Sequence, residues 1–201
     1  MRPLVVATPE RAFDAFITRF RSTVGCVAEA GAFGDGREVG GVQSVVLTPR
    51  GFEAGDPAPL RSRSGQRDLQ LRVAFQYTIV AVPGDREERY RVTPLAYWYG
   101  ILDGEGREIL LFHWHPAGVS NVLTPHLHIP GAASVALGTR SGKGNGKRSV
   151  HLGRMHVPTG YVSLEDVVEL LIVEFEVQPR HPDWLAVITA NRAASESIRA
   201  R

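Results

Sequence analysis

The sequence predicts an α+β fold: an antiparallel β-meander sheet packed against C-terminal helices, with an N-terminal helix ahead of it. Three observations carry this reading. Residues 69–79 alternate apolar and polar with period two, the pattern of a strand with one buried face. Asp103-Gly104-Glu105-Gly106 is a hairpin signal between two further strand candidates. After Ser163 the apolar residues crowd at helical spacing instead.

Composition narrows the function classes. At 201 residues the chain suits a single α+β domain spanning 1–201. With 43% hydrophobic and 22% charged residues it is neither disordered nor fibrous. The 23 basic residues exceed the 21 acidic ones too little for net charge alone to imply a polyanion partner. Cys26 is the single cysteine, which excludes an intramolecular disulfide and a thiolate metal cage and points to a reducing cytoplasmic setting. The apolar run at the N-terminus is shorter than a signal segment, and no stretch reaches the ~18 apolar residues of a membrane span.

Taken in order, Thr8-Pro9-Glu10 reads as an N-cap with proline at the first helical position, and Phe13, Phe16, Ile17 and Phe20 set a core-facing stripe for a helix over 9–23. Residues 25–65 are Gly-, Pro- and Ser-rich and read as irregular, with one short strand at 42–47. The meander follows: strands over 69–79, 89–102 and 108–115, in a sheet of four or five strands. If Leu102 faces Arg107 across the hairpin, Tyr99 pairs with Leu110, Tyr97 with Phe112 and Ala96 with His113. Tyr97, Tyr99, Leu110, Phe112 and Trp114 then share a core face, while His113 and His115 leave the other side and Glu108 faces away from them. Ser163-Leu164-Glu165-Asp166 starts a mostly buried helix that runs to Phe175, with Pro179 beyond it. Pro182 starts a last helix docked through Trp184, Leu185, Val187 and Ile188. These two helices are expected to cover the aromatic face, with the N-terminal helix at an edge or in a dimer contact.

Four of the seven histidines lie in two His-x-His pairs, His113/His115 and His126/His128. Alternate residues on a strand point the same way, so two paired strands bring four imidazoles into one pocket. One reading is a metal site for a divalent ion such as Zn²⁺, Mn²⁺ or Ni²⁺, held by His113, His115, His126 and His128. The other is metal-free acid–base catalysis on a phosphodiester, with these histidines as catalytic acid and base and Arg154 or Lys147 as the cationic helper. RNA suits the second reading, because its 2′-hydroxyl can be the nucleophile. Residues 138–149 form a basic Gly-rich loop whose Lys143, Lys147 and Arg148 are candidate phosphate contacts, although it lacks the spacing of a phosphate-cradling loop. Against these stands a non-catalytic binding or homo-oligomeric assembly protein in which the histidines are structural.

Tyr97-Trp98-Tyr99, the Asp103-Gly104 turn, His113-Trp114-His115-Pro116 and Pro125-His126-Leu127-His128, within residues 90–129, resemble TumE-type toxins of prokaryotic toxin–antitoxin systems. The resemblance implies a compact α+β protein acting on nucleic acid or nucleotide in the cytosol, silenced by an antitoxin-like partner. The chain departs from that pattern in its N-terminal helix, in His-Trp-His where an acidic cluster is usual, and in its long C-terminal helices. Pro125–Ile129 is also similar to a truncated run of the histidine-triad nucleotide hydrolases, with Pro130 where that family has a third histidine, and no role is carried over from it.

Overall fold

The computed structural model describes the chain except residues 1–4, 35, 65–68, 84–88, 118–121, 131–133, 138–147, 152, 154 and 200–201; for 30, 33, 134–137, 148–151 and 195–199 it describes the backbone alone. The architecture is α+β. Its eight-stranded antiparallel sheet is larger than the four or five strands expected, with the order β1 (Ala30–Phe33), β2 (Gln43–Pro49), β4 (Leu69–Val82), β5 (Arg89–Asp103), β6 (Glu108–Trp114), β7 (His126–His128) and β10 (Val157–Pro158). The eighth strand, β3 (Ala58–Leu60), pairs with β4 off this path. A separate two-stranded ribbon joins β8 (Ser134–Leu137) to β9 (Arg148–His151). The segment read as irregular thus contributes three strands. β1 and β3 are too short and too rich in small residues to show an alternation of their own, and pairing with β2 and β4 supplies what local propensity does not.

The long strands form where alternation is clearest. Leu71, Val73, Tyr77 and Ile79 of β4 are fully buried on one face, with Tyr97, Tyr99 and Ile101 of β5 beside them. Helix α1 (Pro9–Gly25) begins as its sequence dictates, with the Thr8 side chain accepting from the Arg11 N–H at 3.3 Å. Its phenylalanines lie on the β4 rings: Phe16 is 5.0 Å from Tyr77 and 5.5 Å from Phe75, centroid to centroid. The N-terminal helix is therefore not at an edge. It packs on β1, β4 and β5, and α2 (Leu164–Val173) and α3 (Trp184–Arg199) pack against it and each other. Apolar area decides this, because α1 presents three phenylalanines to the aromatic face of the sheet.

Helix α2 carries the expected capping box: the Asp166 side chain accepts from the Ser163 N–H at 2.7 Å, and the Ser163 hydroxyl oxygen accepts from the Asp166 N–H at 3.2 Å. It ends at Val173, short of Phe175. The chain turns through Glu176 (φ 52°) so that Val177, fully buried, bridges to Ser62. Val173 is left 53% exposed. In α3, Ile188 is buried, but Leu185 is 52% exposed rather than docked. Arg192 joins α3 to Asp166 and Glu169 of α2, and the Asn191 amide donates to Thr23 of α1 at 2.9 Å.

Candidate metal centre

The hairpin between β5 and β6 sets the orientation of the first histidines. Gly106 sits at φ +80°, its N–H donates to the Asp103 carbonyl, and the Asp103 N–H donates to Arg107, so the loop spans three residues. A bulge then shifts the register between Ile101 and Leu102. Tyr99 consequently faces Phe112, Tyr97 faces Trp114 and Trp98 faces His113, two residues along from the expected pairing. A two-residue shift preserves parity. Tyr97, Tyr99, Leu110, Phe112 and Trp114 do pack into the core, and His113 leaves the opposite face. The neighbour across the strand is Trp98 instead of Ala96, their rings 5.2 Å apart. Glu108, on the near side of the bulge, pairs with Leu102 and reaches Arg72 at 3.9 Å. This puts it on the histidine face, correcting the expectation that it faces away, but it lies too far along the strand to join the rings.

Strand β7 pairs antiparallel with β6, placing His126 opposite His113 and His128 opposite Leu111. Directly opposed residues of paired strands hold their side chains side by side. The centroids lie 5.1 Å apart for His113 and His126, 4.2 Å for His113 and His115, 5.9 Å for His115 and His126, and 4.9 Å for His126 and His128. Four rings therefore share one space. A fifth joins them: β10 pairs with β7 through Pro158 and His126, and the segment leading into it carries His156, 4.5 Å from the His128 ring and 4.9 Å from that of His126.

His156 was not among the expected site residues. Its signal was the alternation of His156 with Pro158, which an isolated two-residue strand is too short to make visible. Three contacts fix the chain that follows it. The Thr159 N–H donates to the Pro125 carbonyl at 2.9 Å, the Val162 N–H donates to the Tyr97 hydroxyl at 3.1 Å, and the Tyr161 ring packs edge-on to Tyr97 at 5.2 Å.

His113, His126 and His128 lie close enough to bind a metal ion, each offering one nitrogen and all three within 4.8 Å of one another. Among the described residues no carboxylate or thiolate belongs to the group. His126 is 1% exposed. Its Nδ1–H donates to the Thr124 carbonyl at 2.8 Å, and because a carbonyl can only accept, Nε2 of the neutral ring carries the lone pair. That Nε2, and both ring nitrogens of His113, are buried without a hydrogen-bond partner. Burial pushes the His113 pKa down to about 4, and the four neighbouring imidazoles push the same way. Burial likewise lowers His128, with His156 the largest neighbouring contribution. Neutral, desolvated, unpartnered imidazole is the form in which histidine ligates a cation.

The other expected site residues are not brought to this cluster. Lys143, Lys147 and Arg154 lie outside the described residues, and Arg148 is placed in β9 by its backbone alone. In the sequence the basic segment lies between β8 and β9, which pair in a ribbon apart from the main sheet. Cys26 is buried, and burial raises its thiol pKa, in keeping with a structural role. Among the described residues no helix is long and apolar enough to cross a membrane. In comparison with known proteins, no family model matches the chain, and no curated protein or solved structure matches it significantly.

Proposed function

We propose that the chain is a divalent-metal-dependent phosphodiester hydrolase acting on nucleic acid or nucleotide, with His113, His126 and His128 as the protein ligands. The observation that carries this reading is the set of buried imidazole nitrogens, on His113 and His126, that have no partner yet face one common space. Left unsatisfied, each such atom costs about 1–3 kcal/mol, and a cation satisfies one nitrogen of each ring. Three protein ligands with a remaining coordination position is the arrangement of a catalytic zinc site rather than a closed structural one. At a Zn–N distance of about 2.1 Å, tetrahedral ligand atoms lie about 3.4 Å apart, so the rings draw in by on the order of 1 Å on binding.

A divalent ion held by His113, His126 and His128 would supply an activated water for attack on phosphorus. His115 and His156, beside the three ligands, exchange protons with the attacking water and the leaving oxygen. His113, neutral at pH 7, suits a ligand better than a general acid, and this favours the metal-assisted scheme over the metal-free one. The resemblance of residues 90–129 to TumE-type toxins favours nucleic acid among phosphodiesters, and with it a cytosolic toxin or defence role and a silencing protein partner. The test is cleavage of RNA and DNA by protein loaded with Zn²⁺, Mn²⁺ or Ni²⁺, compared with His126→Ala. Cleavage lost on chelation and in the variant supports the reading. Metal binding without cleavage of either polymer or of a nucleotide diester would remove the enzyme and leave a binding site.

A further inference from the structure

Strand β5 alternates through Tyr97, Trp98 and Tyr99, and the two tyrosines take the core face, so Trp98 leaves the sheet on the side of the histidines. Of the three tryptophans, Trp114 and Trp184 pack against the hydrophobic core, whereas Trp98 is half-buried on the face away from the helices. Its neighbours there are small on three sides: Ala74 lies opposite it on β4, and Ala96 and Gly100 flank it along β5. On the fourth side stand the rings of His113, 5.2 Å away, and of His115, which lies at an interplanar angle of 6° to the indole. Core packing does not account for a large aromatic ring among short neighbours, one strand from a ligand histidine.

An indole face is complementary to an unpaired nucleobase, because every base has a π-face that stacks on an aromatic ring. The metal centre anchors the adjoining phosphate: three neutral imidazoles, with no carboxylate or thiolate in the group among the described residues, leave the charge of a divalent ion uncompensated. Trp98 faces His113 across one strand spacing, about 4.8 Å, so a nucleotide held by its phosphate at the ion has its base within reach of the indole. In a duplex the base is paired and stacked between its neighbours, and its faces are closed to the indole. We propose that Trp98 is the stacking platform for an unpaired base beside the scissile phosphodiester, which makes single-stranded nucleic acid the substrate. This rests on the phosphodiester reading of the metal centre and adds to it the form of the polymer.

The test is fluorescence anisotropy of the zinc-loaded full chain with a labelled oligothymidylate, with an abasic strand of the same length and with a duplex, in the wild type, Trp98→Ala and Trp98→Phe. The abasic strand carries the same phosphates, so the comparison cancels the electrostatic contribution. The wild type is expected to bind the oligothymidylate at least about fivefold more tightly than the abasic strand, and more tightly than the duplex. Trp98→Ala is expected to erase the preference over the abasic strand, and Trp98→Phe to restore part of it. Equal affinity for the base-bearing and abasic strands in the wild type overturns the proposal. So does a preference that survives Trp98→Ala, tighter binding of the duplex, or no binding of the oligothymidylate. Cleavage of the same strands is read separately on a gel. Equal binding with cleavage of both single strands refutes the platform and keeps the hydrolase; a base-dependent preference without cleavage keeps the platform and refutes the hydrolase. Because the wild-type comparison decides by itself, a variant that fails to fold does not protect the proposal.

Discussion

Replacing His113 with leucine should change stability in opposite directions with and without metal. In the metal-free protein both ring nitrogens of His113 are buried and unpartnered. Each buried, unsatisfied polar atom costs about 1–3 kcal/mol, and the lower end applies here because the residue as a whole is only half-buried. Leucine has similar bulk, keeps contact with Trp98 and carries no polar atom. In chelator, His113→Leu should therefore be more stable than the wild type by on the order of 1–2 kcal/mol. With Zn²⁺ at about a hundred times its Kd, the wild type gains about 2.7 kcal/mol through mass action, and a variant without one of three ligands gains little. The stability order thus inverts between the two conditions. Urea denaturation followed by tryptophan fluorescence, run with chelator and with zinc, measures both differences. A variant less stable than the wild type in chelator, or an equal zinc increment in both proteins, would refute the assignment of His113 as a ligand left unsatisfied without its ion.

Three further outcomes follow from the same geometry. In chelator, stability should fall as pH drops from 6.5 to about 4: over that window the unfolded chain takes up a proton that burial denies His113 in the fold, for a loss of about 1–2 kcal/mol once partial exposure is discounted. Denaturation across that range checks it, and in His113→Leu the loss should shrink. Gly106→Ala should destabilise by about 1 kcal/mol, read from the urea midpoint, because alanine is strained at φ +80°, while zinc affinity stays within a few-fold. Leu171→Ala should cost about 2–5 kcal/mol by opening a hole beneath α2, since Leu171 is wholly buried, and a loss under 1 kcal/mol would mean the helix is not seated as described.

Alternation along β4 and β5 made the core face of the sheet legible, because side-chain parity survives any register error of two residues. That is why Tyr97, Tyr99 and Trp114 fall on the core side although their partners are displaced from those expected. The three-residue loop and the bulge were not legible. Both depend on how the glycine-containing turn is closed, and Asp103-Gly104-Glu105-Gly106 permits more than one closure. Glu108 changed faces for that reason. Strands β1, β3 and β10 have too few residues for periodicity, and they exist because a neighbouring edge offers hydrogen bonds. His156 was hidden with β10. The position of α1 over the sheet is set by which helix brings the most aromatic surface, a comparison among tertiary alternatives that no local window contains.

The central claim is a histidine-only metal centre, and X-ray absorption at the zinc edge of stoichiometrically loaded protein tests it most directly. The account predicts one zinc per chain, with nitrogen or oxygen neighbours at about 2.0–2.1 Å, the multiple-scattering signature of three imidazoles, and loss of that signature in His126→Ala. A sulfur neighbour at about 2.3 Å would contradict it, because Cys26 is buried and belongs to the core beneath the other face of the sheet. Failure of the wild type to retain stoichiometric metal would contradict it as well.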